Sequence, residues 1–319
     1  MSLLCYRFPK EQVVRQSGYF HELSSEIKDY EGFILSNFTK SKRYGFVEFA
    51  TASDHPHYIA TPIEVIEKSK YLWVGEKLIS AIKMTDLSKV VFSRIKAVAF
   101  DETKTQALFN SLSTTYPNAL VYLISDPILG TWVGASPELL LRTVGDQGFS
   151  ISLAGTKKSE DKSQWLEKEQ IEQDVVSTFI EQKLQELGAS DLEMIGPYDY
   201  VAGPVKHLRT DFSFRTTREE TELLDALHPT PAVSGLPRAL AQEIIENIEE
   251  HDRSIYTGYI GLLSPKDSKI YVNLRCCQIR PGNMYLYLGG GYTKDSNPEL
   301  EWEETENKSK TLLDLVQKL

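Results

Sequence analysis

The sequence predicts an α+β fold, with large antiparallel β-sheets packed face to face and helices on the outside. Strand-like runs arrive in neighbouring groups joined by short turn signals. Long helical segments fall between those groups rather than after each single strand, as βαβ units would require. Two of the helical segments carry a clear apolar stripe.

In chain order, ALVYLISD (119–126), TWVGASPELLLRTV (131–144) and FSISLAGT (149–156) read as strands. GDQG (145–148) between the last two is a hairpin signal. A helix follows over 163–188, closed by Gly188, since glycine accepts the left-handed conformation that ends helices. PRALAQEIIENIEEH (237–251) is a second helix, with Pro237 at a favourable first position. SIYTGYIGLL (254–263), KIYVNLRCCQI (269–279) and MYLYLGGGYT (284–293) are strands again, linked by the turn-like SPKDS and RPGN. The last helix runs from about Asn297 to the C-terminus. No linker rich in Pro, Gly or Ser divides the chain, so 1–319 reads as a single domain.

Composition narrows the function. The 319 residues carry a formal net charge of −10. No basic stripe offers itself to phosphates, which argues against a nucleic-acid partner. An anionic substrate would need cations supplied locally. Three cysteines give neither a disulfide framework nor a zinc spacing. Adjacent Cys276 and Cys277 should point to opposite faces of a strand. No run approaches ~18 apolar residues, so no membrane span is expected, and MSLLCYRFPKEQ lacks a signal-peptide pattern. The expected location is cytoplasmic.

The stretch LEWEETENKSK (300–310) concentrates charge where the last helix begins. Stepping back from the stripe Leu312, Leu315, Val316 and Leu319 in threes and fours reaches Lys308, Glu304 or Thr305, and Glu301. Glu303 and Glu306 fall off the stripe and should be solvated. In the helix after AGTKKS, Glu172 extends the stripe of Val176, Phe179, Ile180 and Leu187 in the same way. Inward carboxylates are costly unless paired. Oxygen donors from two helices suit a shared Mg²⁺. Helix-end glutamates paired with lysines at the core's rim would give the same periodicity.

Several stretches, in order, carry a family pattern: SKVVFSR (88–94), GASPELLLR (134–142), LAGT (153–156), KEQIEQDVV (168–176), LHPTPAVSGLPR (227–238), RSIYTGYIG (253–261), NLRCCQI (273–279) and LGGGYTKDSNPELEWEETENK (288–308). This set resembles the chorismate-utilising enzymes, over residues 85–319; residues 1–84 form a shortened, divergent N-terminal part. LHPTPAV and Lys89 make the isochorismate synthase branch the most similar, since the ammonia-using members keep Gln where Lys89 stands. The chain departs from the family pattern at Lys157-Lys158-Ser159, Gln173, Ser254, Leu288 and Gly290.

The resemblance implies the family's fold and a Mg²⁺-dependent isomerase that turns chorismate into isochorismate, without a glutamine amidotransferase subunit. It leaves menaquinone, siderophore and salicylate as possible destinations. The other branches of the family are chorismate lyases, making salicylate or using ammonia. A chorismate-binding protein without turnover is a further alternative. Carried over residue by residue, Lys89 is the base and Glu138 the acid. Glu172 and Glu304 are metal ligands, with Glu301 direct or through water. Arg275 and the backbone at Gly155, Thr156 and Gly289 hold carboxylate oxygens. Lys308 meets the enolpyruvyl carboxylate, and His228 positions the 4-hydroxyl or Glu138. Read without the family, Lys89 is a strand-edge lysine and Glu138 a surface residue after Pro137. The triple glycine is then a bulge, Lys308 an i, i+4 partner of Glu304, and His228 a structural histidine.

Overall fold

The strand-like runs do form strands, and every strand pairing among the described residues is antiparallel. The computed structural model describes residues 1–24, 27, 30–49, 56–202 and 205–319, apart from the side chains at 156 and 202. The chain opens with β1 (Ser2–Arg7), β2 (Val14–Glu22), β3 (Gly32–Ser36), β4 (Arg43–Glu48), α1 (Lys68–Met84), β5 (Lys89–Ala99) and α2 (Thr105–Thr115). It continues through β6 (Leu120–Asp126), β7 (Gly130–Ser136), β8 (Leu139–Val144), β9 (Gln147–Lys158), α3 (Glu167–Glu186), β10 (Ser190–Ala202) and β11 (Val205–Arg215). It closes with α4 (Glu220–Leu227), β12 (Gly235–Leu236), α5 (Arg238–Ile248), β13 (Tyr259–Leu263), β14 (Ser268–Val272), β15 (Cys276–Arg280), β16 (Asn283–Tyr292) and α6 (Pro298–Val316).

The strands share one hydrogen-bonded order, β10-β11-β9-β8-β14-β13-β3-β4-β2-β1-β6-β7-β15-β16-β5-β12. β9 stands third and β16 fourteenth in it, yet both line one cavity, so the sheet is doubled over. Its inner layer is built from strands and loops alone, with Trp132, Tyr122, Tyr256, Tyr287 and Phe33 among them. Three outer clusters each join helix to strand: α3 and α4 over β8 and β11, α2 and α6 over β6 and β16, and α1 and α5 over β5. Cys276 belongs to the inner layer and Cys277 to an outer one, the opposite facing that adjacent strand residues require. Residues 1–84, largely silent in sequence, supply β1 to β4 at the middle of the order.

Two runs that read as single strands are broken. Residues 131–144 divide into β7 and β8 at Pro137 and Glu138, where proline has no N–H for a ladder. Residues 269–279 divide into β14 and β15 around Arg275, whose φ of 51° lies in the left-handed region, outside the strand range. The run from Ser254 becomes a strand only at Tyr259, because Ser254 and Thr257 take φ 51° and 59°. Conversely, the triple glycine pairs with β5 without a register shift, so it is no bulge.

Helix starts follow local chemistry. α6 is capped by Asn297, whose side chain accepts from the N–H of Glu299 (2.9 Å) and Leu300 (3.3 Å). α3 begins later than its pattern suggests, where Glu169 accepts from the N–H of Leu166 at 2.6 Å. Pro237 is the cap of α5 rather than its first residue. Gly188, at φ 76°, stands just past the end of α3.

Candidate active site

The two strand breaks and the glycines of β16 open onto a cavity of about 110 Å³. Lys89, Glu138, Gly155, Glu172, Arg275, Gly289, Glu304 and Lys308 all line it. Eight of the residues singled out in sequence thus converge, from strands and helices far apart in the chain.

Glu138 sits at the break after Pro137 and is 3% exposed. Its Oε1 is buried without a partner. Burial pushes its pKa up to about 7, against the pull of Lys89, Arg275 and Lys308. Desolvation disfavours the charged form, so near neutrality this carboxyl is poised to give up a proton. Lys89 opens β5 and is 4% exposed; no hydrogen bond or ion pair engages its side chain among the described residues.

The glycines make room for these groups. A Cβ on Gly291 would meet Lys89 Cε at 3.2 Å and Glu172 Oε1 at 3.7 Å. One on Gly289 would meet the Tyr256 hydroxyl at 2.9 Å. Gly290 faces the other way, where a Cβ would meet the Tyr71 hydroxyl at 2.8 Å. Close approach on both faces of β16 thus explains three glycines in a regular strand.

Arg275 owes its direction to its left-handed backbone, while its carbonyl accepts from Ala135 N–H at 3.1 Å. Its guanidinium has no protein hydrogen-bond partner among the described residues. Burial lowers its pKa, yet an arginine stays charged. A bare planar cation in a cavity is suited to a carboxylate.

On α6, Lys308 Nζ donates to Glu304 Oε1 at 2.6 Å and to the Gly289 carbonyl at 2.8 Å. The i, i+4 pairing is therefore real, and it lies inside the cavity. Burial raises the Glu304 pKa, but Lys308, Lys168 and Arg275 outweigh it and hold the carboxyl below its usual range. About a third of that side chain is accessible, on the cavity side. Glu301 lies behind the wall, 1% exposed. Burial and Glu304 push its pKa up. Lys168 Nζ donates to Glu301 Oε1 and stands 3.8 Å from Glu172 Oε1. As these side chains stand, no three His, Cys, Asp or Glu are gathered closely enough to hold a metal ion, among the described residues.

Two expectations are corrected. His228 does not line the cavity. It ends α4, its Nε2 is 3.1 Å from the Phe38 carbonyl, and its ring stands edge-on to Tyr259. Ala232 and Val233 of the same motif form the wall instead. Glu306 is only partly solvated: about a third of its side chain is accessible, and it pairs with buried Arg94 and with Lys96 at 2.5 Å. The side chain of Thr156 lies outside the described residues, although its backbone belongs to β9.

His207 was missing from the expectations and lines the cavity from β11. Its Nδ1 is 2.7 Å from the Gly155 carbonyl. Burial, with Arg275 and Lys308, lowers its pKa to about 4. A neutral ring that donates from Nδ1 keeps its Nε2 lone pair. The available signal was a lone histidine in the strand-like VKHLRTDFSF.

A family model described as chorismate binding enzyme matches residues 23–317. The isochorismate synthase EntC of Escherichia coli K12 is 30% identical over 244 residues, covering 72% of this chain and 62% of that protein. The isochorismate synthase MenF of Bacillus subtilis 168 is 30% identical over 268 residues, covering 78% of this chain and 56% of that protein. The chain thus spans less than two thirds of the length of these curated relatives. Among solved structures, the menaquinone-specific isochorismate synthase MenF from Escherichia coli aligns with a TM-score of 0.83 at 22% identity, covering 99% of this chain and 89% of that one. That likeness is one of fold.

Proposed function

The chain belongs to the chorismate binding enzyme family, and on that premise we propose that it is an isochorismate synthase. Chorismate carries a ring carboxylate, an enolpyruvyl carboxylate and a 4-hydroxyl. Water adds at C2, the ring double bonds shift, and the bond from C4 to its hydroxyl breaks. Water is a poor nucleophile and hydroxide a poor leaving group, so one group must take a proton and another must give one.

The observation that carries this reading is Glu138. It is a buried carboxyl with an unpartnered oxygen and a pKa near 7, in the same cavity as Lys89. Glu138 protonates the departing 4-hydroxyl, which leaves as water. Lys89 accepts the proton of the attacking water. The net transfer from Glu138 to Lys89 is reset through solvent. Arg275 holds one carboxylate in a bidentate grip, and Lys308 meets the other. His207 fixes the Gly155 carbonyl beside them.

The chemistry of the carboxylate donors also suits a divalent cation. Glu172 and Glu304 line the cavity, and Glu301 keeps an unpartnered buried Oε2 just behind. All-oxygen ligands suit Mg²⁺, which would supply positive charge for a substrate carboxylate. Lys89 supports the water-using branch over the ammonia-using one. The destination of the product, menaquinone or a siderophore, follows the relatives EntC and MenF only as far as their shared reaction.

The test is to incubate the protein with chorismate and Mg²⁺ and to separate the products by chromatography. Isochorismate without pyruvate is expected. Salicylate with pyruvate would move the chain to the lyase branch, and unchanged chorismate would leave a binding protein.

A further inference from the structure

We infer that Lys168 is a built-in counter-ion that holds the place of the divalent cation between Glu172 and Glu301, and that metal must displace it to bind. The inference rests on the reading of these carboxylates as a Mg²⁺ site. It adds a residue that competes for that site.

Lys168 lies in the first turn of α3. Its Nζ donates to Glu301 Oε1 and is 3.8 Å from Glu172 Oε1, one residue on each of two helices. Glu301 Oε1 also accepts from the Ser296 hydroxyl at 2.9 Å. Its Oε2 is buried and unpartnered. An ammonium brings one charge and three donors on a flexible stem. A divalent cation brings twice the charge and takes oxygen ligands directly. The Lys168 side chain is 32% exposed, so the long stem has a route to solvent. A cation engaging Glu172 and Glu301 must first break the Lys168 pair.

Competition predicts opposite shifts on removing the lysine charge. Without Lys168, the carboxylates repel one another in protein stripped of divalent cations. The same change removes the competitor for Mg²⁺. A merely structural lysine would weaken both stability and metal binding. A lysine that neutralises the bound site would loosen the metal.

The full chain is titrated with Mg²⁺ by calorimetry as wild type, Lys168→Gln and Glu304→Gln, and each is melted after removal of divalent cations. Lys168→Gln is expected to bind Mg²⁺ about tenfold more tightly or better, and to melt at a lower temperature. Unchanged or weaker Mg²⁺ binding overturns the inference. If Glu304→Gln abolishes wild-type Mg²⁺ binding while Lys168→Gln does not tighten it, only the role of Lys168 falls. If wild-type binding is absent or indifferent to Glu304→Gln, the metal reading itself falls, and this inference with it. Should Lys168→Gln fail to fold, Lys168→Arg keeps the pair with a broader head that is harder to displace. It is expected to weaken Mg²⁺ binding, and unchanged affinity would count against the inference.

Discussion

At the scale of single residues, Glu138 shows how position sets chemistry. A carboxyl raised from 4.5 to about 7 must be protonated to act as an acid, so turnover should fall as pH rises through about 7. Glu138→Gln should lose ~10²-fold or more in turnover, with chorismate binding largely kept. The same shift acts on stability. A carboxyl whose folded pKa is raised favours the folded state below its unfolded pKa, and that contribution is lost as pH climbs through the folded value. Glu138→Gln should therefore gain stability relative to wild type between pH 4.5 and 8, by up to ~3 kcal/mol. Urea unfolding at several pH values checks this; a gap that does not change with pH would contradict the burial account. Lys89 and Glu138 were legible in the sequence because short motifs carry them, and the need for a raised acid pKa follows from the leaving group. His207 was not legible: a histidine in an alternating strand has no periodicity to mark it. His228 was misplaced because a motif names a segment, and here Ala232 and Val233 of that segment reach the cavity.

At the scale of elements, the site is made where regular structure fails or thins. Pro137 and the left-handed Arg275 interrupt two strands, and each break turns one cavity-lining side chain inward. Periodicity alone reads through such breaks, because apolar alternation continues on both sides of them. The glycines of β16 act differently, thinning an unbroken strand. Gly291→Ala should leave the fold standing, since the nearest atom a Cβ would meet is Lys89 Cε at 3.2 Å, the far part of a flexible side chain. It should cost about 10- to 100-fold in turnover by shifting Lys89, the proposed base, with little change in melting temperature. A comparable loss of stability would show that the strand, not the lysine, gives way. Helix phase was readable for α6, and it put Glu304 and Lys308 on the correct side. What anchors that phase was not. Arg94 on β5 stacks on Trp302 (3.7 Å to the ring centroid), bonds Thr305 Oγ1 at 2.8 Å and pairs with Glu306. Arg94→Met keeps the volume and loses these contacts, leaving Glu306 to Lys96. It should destabilise the chain by ~2–3 kcal/mol in denaturant unfolding and weaken catalysis through a looser α6.

At the scale of the whole molecule, a chain of net charge −10 gathers Lys89, Arg275 and Lys308 around one cavity. Each comes from a different element, and the doubled sheet is what brings them together. That doubling was not legible, because strand order and closure depend on contacts between residues hundreds of positions apart, which local patterns do not record. The ordered motifs revealed the site's membership without revealing how its walls meet. A ligand seated there touches β9 and β11 from one end of the sheet order and β16 and β5 from the other. Binding should therefore stabilise both ends as one cooperative unit. Chorismate held at a hundred times its dissociation constant should stabilise the slowed Glu138→Gln variant by ~2.7 kcal/mol, as a single shifted unfolding transition. Adding Arg275→Ala should remove most of the shift at the same chorismate concentration, since the guanidinium has no protein hydrogen-bond partner among the described residues and suits a carboxylate. Two transitions, with only one moved by chorismate, would mean that the ends of the sheet unfold separately and that the cavity is not closed across them. An undiminished shift in the Arg275→Ala double variant would mean that the substrate's carboxylates are held elsewhere.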